Sequence, residues 1–144
     1  LSATLLPENF SFLCRYIQLF QEMAKALKAA QLVGTFAGFW PPSLREPDLI
    51  PFPESSGTAF FVGGFAWGIK NGLLASADYL PTVQKGWQAL KRAQRQDGRL
   101  GYVQPMGSEP GEVGPDATQL YGSGALLQAA ARILSLLEAS PGAT

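Results

Sequence analysis

One nine-residue run and its shorter echo constrain this chain more than anything else in it. Pro53-Glu54-Ser55-Ser56-Gly57-Thr58-Ala59-Phe60-Phe61 opens one apolar stretch, and Tyr121-Gly122-Ser123-Gly124-Ala125-Leu126-Leu127 opens another. Each follows an amphipathic segment that closes on a glutamine and a glycine, Gln31 and Gly38 in the first case and Gln94 and Gly98 in the second. Gly57 and Gly124 stand 67 positions apart, and Gly38 and Gly98 stand 60 apart. Self-similarity at this spacing, with each copy made of one amphipathic and one apolar helix, predicts a stack of helical hairpins.

The periodicities give the layers. Leu13, Ile17, Phe20, Ala24 and Leu27 step by three and four residues with Arg15, Gln18, Glu22 and Lys25 opposite, which predicts an amphipathic outer helix over 10–31. Cys14, beside Leu13, is expected there as a small buried side chain. Over 58–72 the apolar residues point in every direction and Lys70 is the only charge, so this helix is expected to be buried on all sides. Gly63, Gly64 and Gly68 suit close backbone packing, and Asn71-Gly72 supplies a left-handed cap.

A third helix is expected to begin near Pro81, with Val83, Trp87, Leu90 and Gln94 on one face and Lys85, Gln88, Lys91, Arg92 and Arg95 on the other. A fourth, over 117–137, has no charge between Asp116 and Arg132. The order is thus outer, inner, outer, inner. The long loops 41–54 and 104–115 both lead from an outer helix to an inner one and so share one edge, while 73–80 lies at the other. A site is expected at the first edge, where long loops in a compact domain tend to carry function.

Composition removes several classes of function. Eleven basic and eleven acidic residues leave no net charge, so no nucleic-acid or anionic-membrane partner is indicated. The absence of histidine excludes a Ser-His or Cys-His pair and a His-based zinc site within this chain; one cysteine excludes an internal disulfide. The apolar run 59–69 falls short of the ~20 residues that span a bilayer. No signal peptide is visible, the cytoplasm is the favoured compartment, and a chain starting at Leu1 is expected to be a processed or truncated piece of something longer. Residues 1–144 are taken as a single domain.

Hydroxyls cluster where chemistry is plausible. Ser55-Ser56-Gly57-Thr58 stands at a helix start, where free N–H groups and the dipole suit either a Ser or Thr cap or a bound anion. Gly122-Ser123-Gly124 has the same two readings. Trp40, with Phe39, sits at the mouth of the first long loop and either stacks on a sugar or covers the core. Tyr121 adds a hydroxyl at the equivalent edge. Trp67 and Trp87 fall on apolar faces and are expected in the core. Glu54 and Asp116 each precede an inner helix, which raises a catalytic carboxylate pair against simple dipole complementarity.

The run 53–74, then Tyr79-x-Pro-x-Val-x-Lys-Gly-Trp-x-Ala-Leu, then Asp97-Gly98-Arg99-Leu100-Gly101-Tyr102-Val103-Gln104-Pro105, resembles the unsaturated rhamnogalacturonyl hydrolases of glycoside hydrolase family 105, related to the unsaturated glucuronyl hydrolases of family 88. The resemblance runs from about Phe12 to Leu134. It implies an (α/α)6 barrel of six hairpins, of which about one third, the C-terminal part, is present. It also implies removal of a terminal 4,5-unsaturated uronic acid from pectin-derived oligosaccharides. By the same resemblance an Asp is expected to protonate the vinyl ether and activate water at C5, the resulting hemiketal opens to release the aglycone, and no metal or organic cofactor is expected.

That Asp and a Trp-x-Arg-Gly-Asn-Gly-Trp run belong to the family's N-terminal half and have no counterpart here, so no residue of this chain is assigned as catalyst. Ala37 stands before Gly38 where the family usually has Asp. Trp40, Glu54, Ser56, Gly57, Thr58 and Tyr121 carry over as wall or substrate-shaping positions.

Two other readings stay open. Lys85-Gly86-Trp87 with Gln94 and Gly98 is similar to the Gln/Trp repeats of terpene cyclases, although Leu100 stands where an aromatic is expected. A stand-alone helical binding module would bury its inner helices against a partner or a second copy. In either barrel-fragment form, the chain is expected to need its missing hairpins or to self-associate.

Overall fold

The computed structural model describes residues 12–48, 50–107 and 109–139. Four helices form: α1 (Leu13–Ala29), α2 (Ser55–Lys70), α3 (Ser76–Ala93) and α4 (Leu120–Glu138), with a short 3-10 turn at Gly34–Phe36. Among the described residues β pairing is limited to two isolated bridges, Trp40 with Glu54 and Gln94 with Leu100. The first two residues of the helix expected over 10–31, and the Ser140-Pro141-Gly142 stop, lie outside the described residues.

The alternation of layers holds. α2 packs along α4 and against α3, and its midpoint approaches α4 so closely that a Cβ on Gly63 would sit 3.3 Å from Ala129 Cα. The core runs through Val62, Phe65 and Ala66 of α2, Val83, Ala89 and Leu90 of α3, and Ala125 and Ala129 of α4. α1 lies outside them, with Phe20 edge-on to Trp67 at 5.6 Å and Gln21 Nε2 donating to Leu73 O at 2.9 Å. Ala24 is its buried residue, as the three-four spacing requires.

The repeat seen in the sequence is a repeat of hydrogen bonds. Gln31 Nε2 donates to Gly38 O at 3.1 Å and to Thr82 O at 3.1 Å, while Gln94 Nε2 donates to Gly98 O at 3.4 Å. Gly38 and Gly98 both hold positive φ, at 95° and 82°, where a side chain would be strained. Each outer helix therefore ends in a glutamine that pins a left-handed glycine, and the chain then turns inward. Gly72, at φ 69°, likewise ends α2 after Asn71, as Asn71-Gly72 indicated.

Several expectations are corrected. α3 begins at Ser76, not near Pro81, and carries Pro81 inside its second turn at the loss of one backbone bond. α2 begins at Ser55 and α4 at Leu120, displaced from the expected 58 and 117. Cys14 is exposed, because the register that turns Leu13 and Ile17 inward turns it outward. The inner helices are not covered on every side: Phe60 is half exposed, and Leu120, Leu127 and Leu134 are 90%, 70% and 60% exposed. α1 also shows an apolar stripe, Phe12, Tyr16, Leu19 and Met23, on its open face. By length and composition α4 is long and apolar enough to cross a membrane; here it is an inner helix packed along α2.

Candidate functional site

The edge where α2 and α4 both begin is built around one carboxylate. Glu54 is 7% exposed and is the N-cap of α2. Its Oε2 accepts from Gly57 N at 2.6 Å, and its Oε1 accepts from Ser56 N at 3.2 Å, Ser56 Oγ at 2.7 Å and Gln104 N at 3.2 Å. Three of these bonds satisfy the start of its own helix. The fourth reaches across to the second long loop, fifty residues on.

Gln104 continues the connection to α4. Its carbonyl accepts from Tyr121 OH, and its side-chain Nε2 donates to Gly111 O. Beside it, Ser55 N donates to Tyr102 O at 2.9 Å, Ser55 Oγ donates to Gly101 O, and Val103 N donates to Ala117 O at 2.9 Å. The starts of the two inner helices and both long loops are thereby tied into one network. At the other end of the same two helices Lys70 Nζ donates to Ser135 Oγ, so α2 and α4 run parallel and the long loops share an edge, as their lengths indicated.

The anion-seat reading of the α2 start is overturned by the same bonds. The N–H groups of Ser56 and Gly57 are taken by Glu54, so the chain's own carboxylate fills the seat a ligand would need. The cap is Glu54, not a Ser or Thr hydroxyl. Ser56 Oγ donates to that carboxylate, and Thr58 Oγ1 donates to Glu54 O at 2.7 Å while accepting from Trp40 N at 3.0 Å. Gly57 leaves little room for a side chain on this side, since a Cβ would lie 3.0 Å from Glu54 Oε2 and the carboxylate would have to give way.

Trp40 has no accessible surface. Its ring lies 5.5 Å from that of Phe61 and 5.9 Å from that of Phe65, and Nε1 donates to Leu27 O at 2.6 Å. Of its two readings the geometry selects core covering, with no ring face left for a sugar. Tyr121 is half buried at the edge. Trp87 packs against the core, and Trp67 against Phe20.

Glu54 and Asp116 do not form a pair. Glu54 faces the donors above, and Asp116, 89% exposed, forms an ion pair with Arg95. A catalytic dyad is thus replaced by a buried clamp and a surface bridge. Sequence reasoning missed Gln104 and Ser55 as the residues that join the loops, because their bonds run between segments about fifty residues apart and leave no local signal. Among the described residues no three His, Cys, Asp or Glu side chains come together as metal ligands.

The sequence profile of Glycosyl Hydrolase Family 88 matches residues 2–137. Two curated proteins called unsaturated 3S-rhamnoglycuronyl hydrolase are similar to the chain. That of Alteromonas sp. (strain LOR) is 43% identical over 90% of this chain and 30% of its own length, and that of Formosa agariphila is 37% identical over 92% and 34%. A solved family 88 glycosyl hydrolase from Bacteroides vulgatus superposes with a TM-score of 0.85 at 41% identity, over 94% of this chain and 39% of that one. A solved structure described as a polysaccharide lyase gives 0.84 at 40% identity over the same shares. The chain spans about a third of the length of the curated relatives it matches. It belongs to Glycosyl Hydrolase Family 88, and its hairpins are about one third of an (α/α)6 barrel.

Proposed function

We propose, from its place in Glycosyl Hydrolase Family 88, that this chain supplies the C-terminal third of an enzyme that hydrates the 4,5-double bond of a terminal unsaturated uronic acid and releases the rest of the oligosaccharide. The match over residues 2–137 carries this reading. The tied edge at Glu54 supports it, because a barrel enzyme needs its inner-helix starts held in fixed register. In this reading the proton donor to the vinyl ether comes from the part of the barrel outside these hairpins. Glu54, Ser56, Gly57 and Tyr121 shape the wall of the cleft, with Trp40 and Thr58, neither of which has accessible surface, supporting that wall from behind.

The substrate expected from the family 105 resemblance is a pectin-derived rhamnogalacturonyl oligosaccharide. The names of both curated relatives favour an unsaturated rhamnoglycuronyl substrate instead. Following the loss of double-bond absorbance tests the reading. The chain alone gives no turnover, and co-production with the preceding two thirds of the Alteromonas relative restores it. Turnover by the chain alone, abolished in Glu54→Gln, would place the catalyst here and overturn the assignment.

One observation favours a second reading, a module that acts by association. The leucines of α4 and the apolar stripe of α1 are both left exposed, and contiguous exposed apolar surface marks an association site.

A further inference from the structure

A groove of about 470 Å³ opens between the C-terminal end of α3 and the approach to α4. Arg92, Gln94, Arg95, Asp97, Tyr102 and Asp116 contribute to its walls, and of these Tyr102 alone touches the Glu54 network, through its carbonyl. Its volume falls in the range of small-molecule sites, roughly 300–1,000 Å³, but its lining is mostly polar.

The charges in the groove cancel one another. Arg95 is paired with Asp116 and lies 3.5 Å, Nε to Oδ2, from Asp97; Asp97 in turn accepts from Arg99 at 2.7 Å. A simple anion entering here meets Asp97 and Asp116, and a simple cation meets Arg92 and Arg95. A hydroxyl meets neither penalty, since it donates to a carboxylate and accepts from a guanidinium or an amide in the same position.

The donors are also held in place before any ligand arrives. Arg92 Nη2 donates to Ala37 O at 2.7 Å, and the guanidinium sits 5.8 Å over the Phe39 ring, which fixes its plane while leaving other N–H groups unused by that bond. Tyr102 is the one described non-glycine residue at positive φ, 57°. Its N–H donates to Gly114 O at 3.2 Å and its carbonyl accepts from Ser55 N, so both sides of the peptide are tied in this conformation. Strained backbone of this kind collects at ligand sites. Here it sets an aromatic ring, half buried and 6.0 Å from Phe39, into the wall beside the polar groups.

We propose that this groove is a binding site for a neutral saccharide unit, taken by hydrogen bonds from paired Arg, Asp and Gln side chains to neighbouring hydroxyls and by contact with Tyr102. The choice of a saccharide rests on the oligosaccharide reading above, whereas the preference for a neutral polyol rests on the groove itself.

Titration of the chain with methyl rhamnoside, followed by backbone amide NMR, tests the site, with sodium glucuronate and sodium sulfate as anionic probes. Saturable shifts are expected at residues 92–97 and Tyr102 for the neutral sugar, with weaker binding of both anions. Arg92→Ala and Asp116→Asn should each weaken the sugar about tenfold, the scale of a lost hydrogen bond to a charged group, while Leu127→Ser leaves it unchanged. No saturable shift in the groove, binding by both variants as tight as that of the unsubstituted chain, or tighter binding of either anion overturns the proposal. None of those outcomes touches the hydrolase reading, which is decided by loss of double-bond absorbance.

Discussion

The backbone N–H of Gln104 donates to Glu54 Oε1 at 3.2 Å, joining the cap of one inner helix to the loop that feeds the next. Glu54 is buried, and every donor it meets is neutral: two backbone N–H groups of its own helix, the Ser56 hydroxyl, and this one. Among the backbone donors the 2.6 Å contact with Gly57 N is the short one, and those from Ser56 N and Gln104 N are each 3.2 Å.

Glu54→Gln replaces one acceptor oxygen with an NH2 group that must face N–H donors. A loss of about 1–3 kcal/mol is expected, the cost of leaving buried donors unsatisfied. It would be read as a lower thermal midpoint together with faster amide exchange at Gln104 and Gly57. An unchanged midpoint with unchanged exchange would show that the two loops are not held through this carboxylate.

Two glycines should respond in opposite directions. A Cβ on Gly86 would overlap Val62 Cγ2 and lie 3.3 Å from Trp40 Cζ3, so Gly86→Ala pushes α3 off α2 at a cost of about 1–3 kcal/mol. Gly64, inside α2, has nothing within 4 Å of its Cβ position, and Gly64→Ala should stabilise by about 0.5–1 kcal/mol through helix propensity. Denaturant midpoints of the pair check this; a stabilised Gly86→Ala would mean that the two helices do not touch there.

Asp97 supplies a pH test. Hydrogen bonds from Arg99, side chain first and backbone second, hold its carboxyl at about 2 against an ordinary 3.8. The folded state binds this proton less tightly than the unfolded one, so the contribution is complete above pH 3.8 and is lost as pH falls from there through 2. Because Asp97 is at the surface, the energetic effect is small and the titration itself is the readout. Carboxyl carbon NMR should show Asp97 titrating near 2, and Arg99→Ala should return it toward the ordinary carboxylate range. A titration unmoved by Arg99→Ala would assign the shift to another partner.

Much of this architecture was legible in the sequence because the relevant signals are local and periodic. The outer-inner alternation follows from where charges fall along each helix, and the paired Gln31-Gly38 and Gln94-Gly98 turns are visible as a repeat that the hydrogen bonds then realise. The shared edge followed from loop lengths alone. What escaped was any choice between partners. Ser56, Thr58 and Glu54 all suit a helix start, and nothing local says that the carboxylate wins; its additional donor, Gln104, comes from fifty residues away. Trp40 was ambiguous for the same reason, since Phe61, Phe65 and Leu27 close over it only in three dimensions. Pro81 misled because a proline within an early turn costs one bond, which the packing of α3 offsets.

The open flanks decide how the chain behaves in isolation. Leu120, Leu127 and Leu134 recur every seven residues and line one side of α4, with Leu137 half exposed beyond them. On α1, Phe12, Tyr16, Leu19 and Met23 form a second stripe, each more than half exposed. Large apolar side chains are worth about 1.5–3 kcal/mol each when fully buried, so covering either flank releases several times that. Because the two stripes lie on different helices, pairing one with the other is heterologous, which closes into rings or continues as filaments rather than stopping at a symmetric dimer. The chain alone is therefore expected to self-associate and to bind a hydrophobic dye. Leu127→Glu combined with Leu134→Glu should shift sedimentation equilibrium toward monomer without lowering the thermal midpoint, because these side chains contribute little to the packed core. A dilute, dye-negative monomer of the unsubstituted chain would show that the flanks close on each other, and the ring-segment arrangement would have to be abandoned.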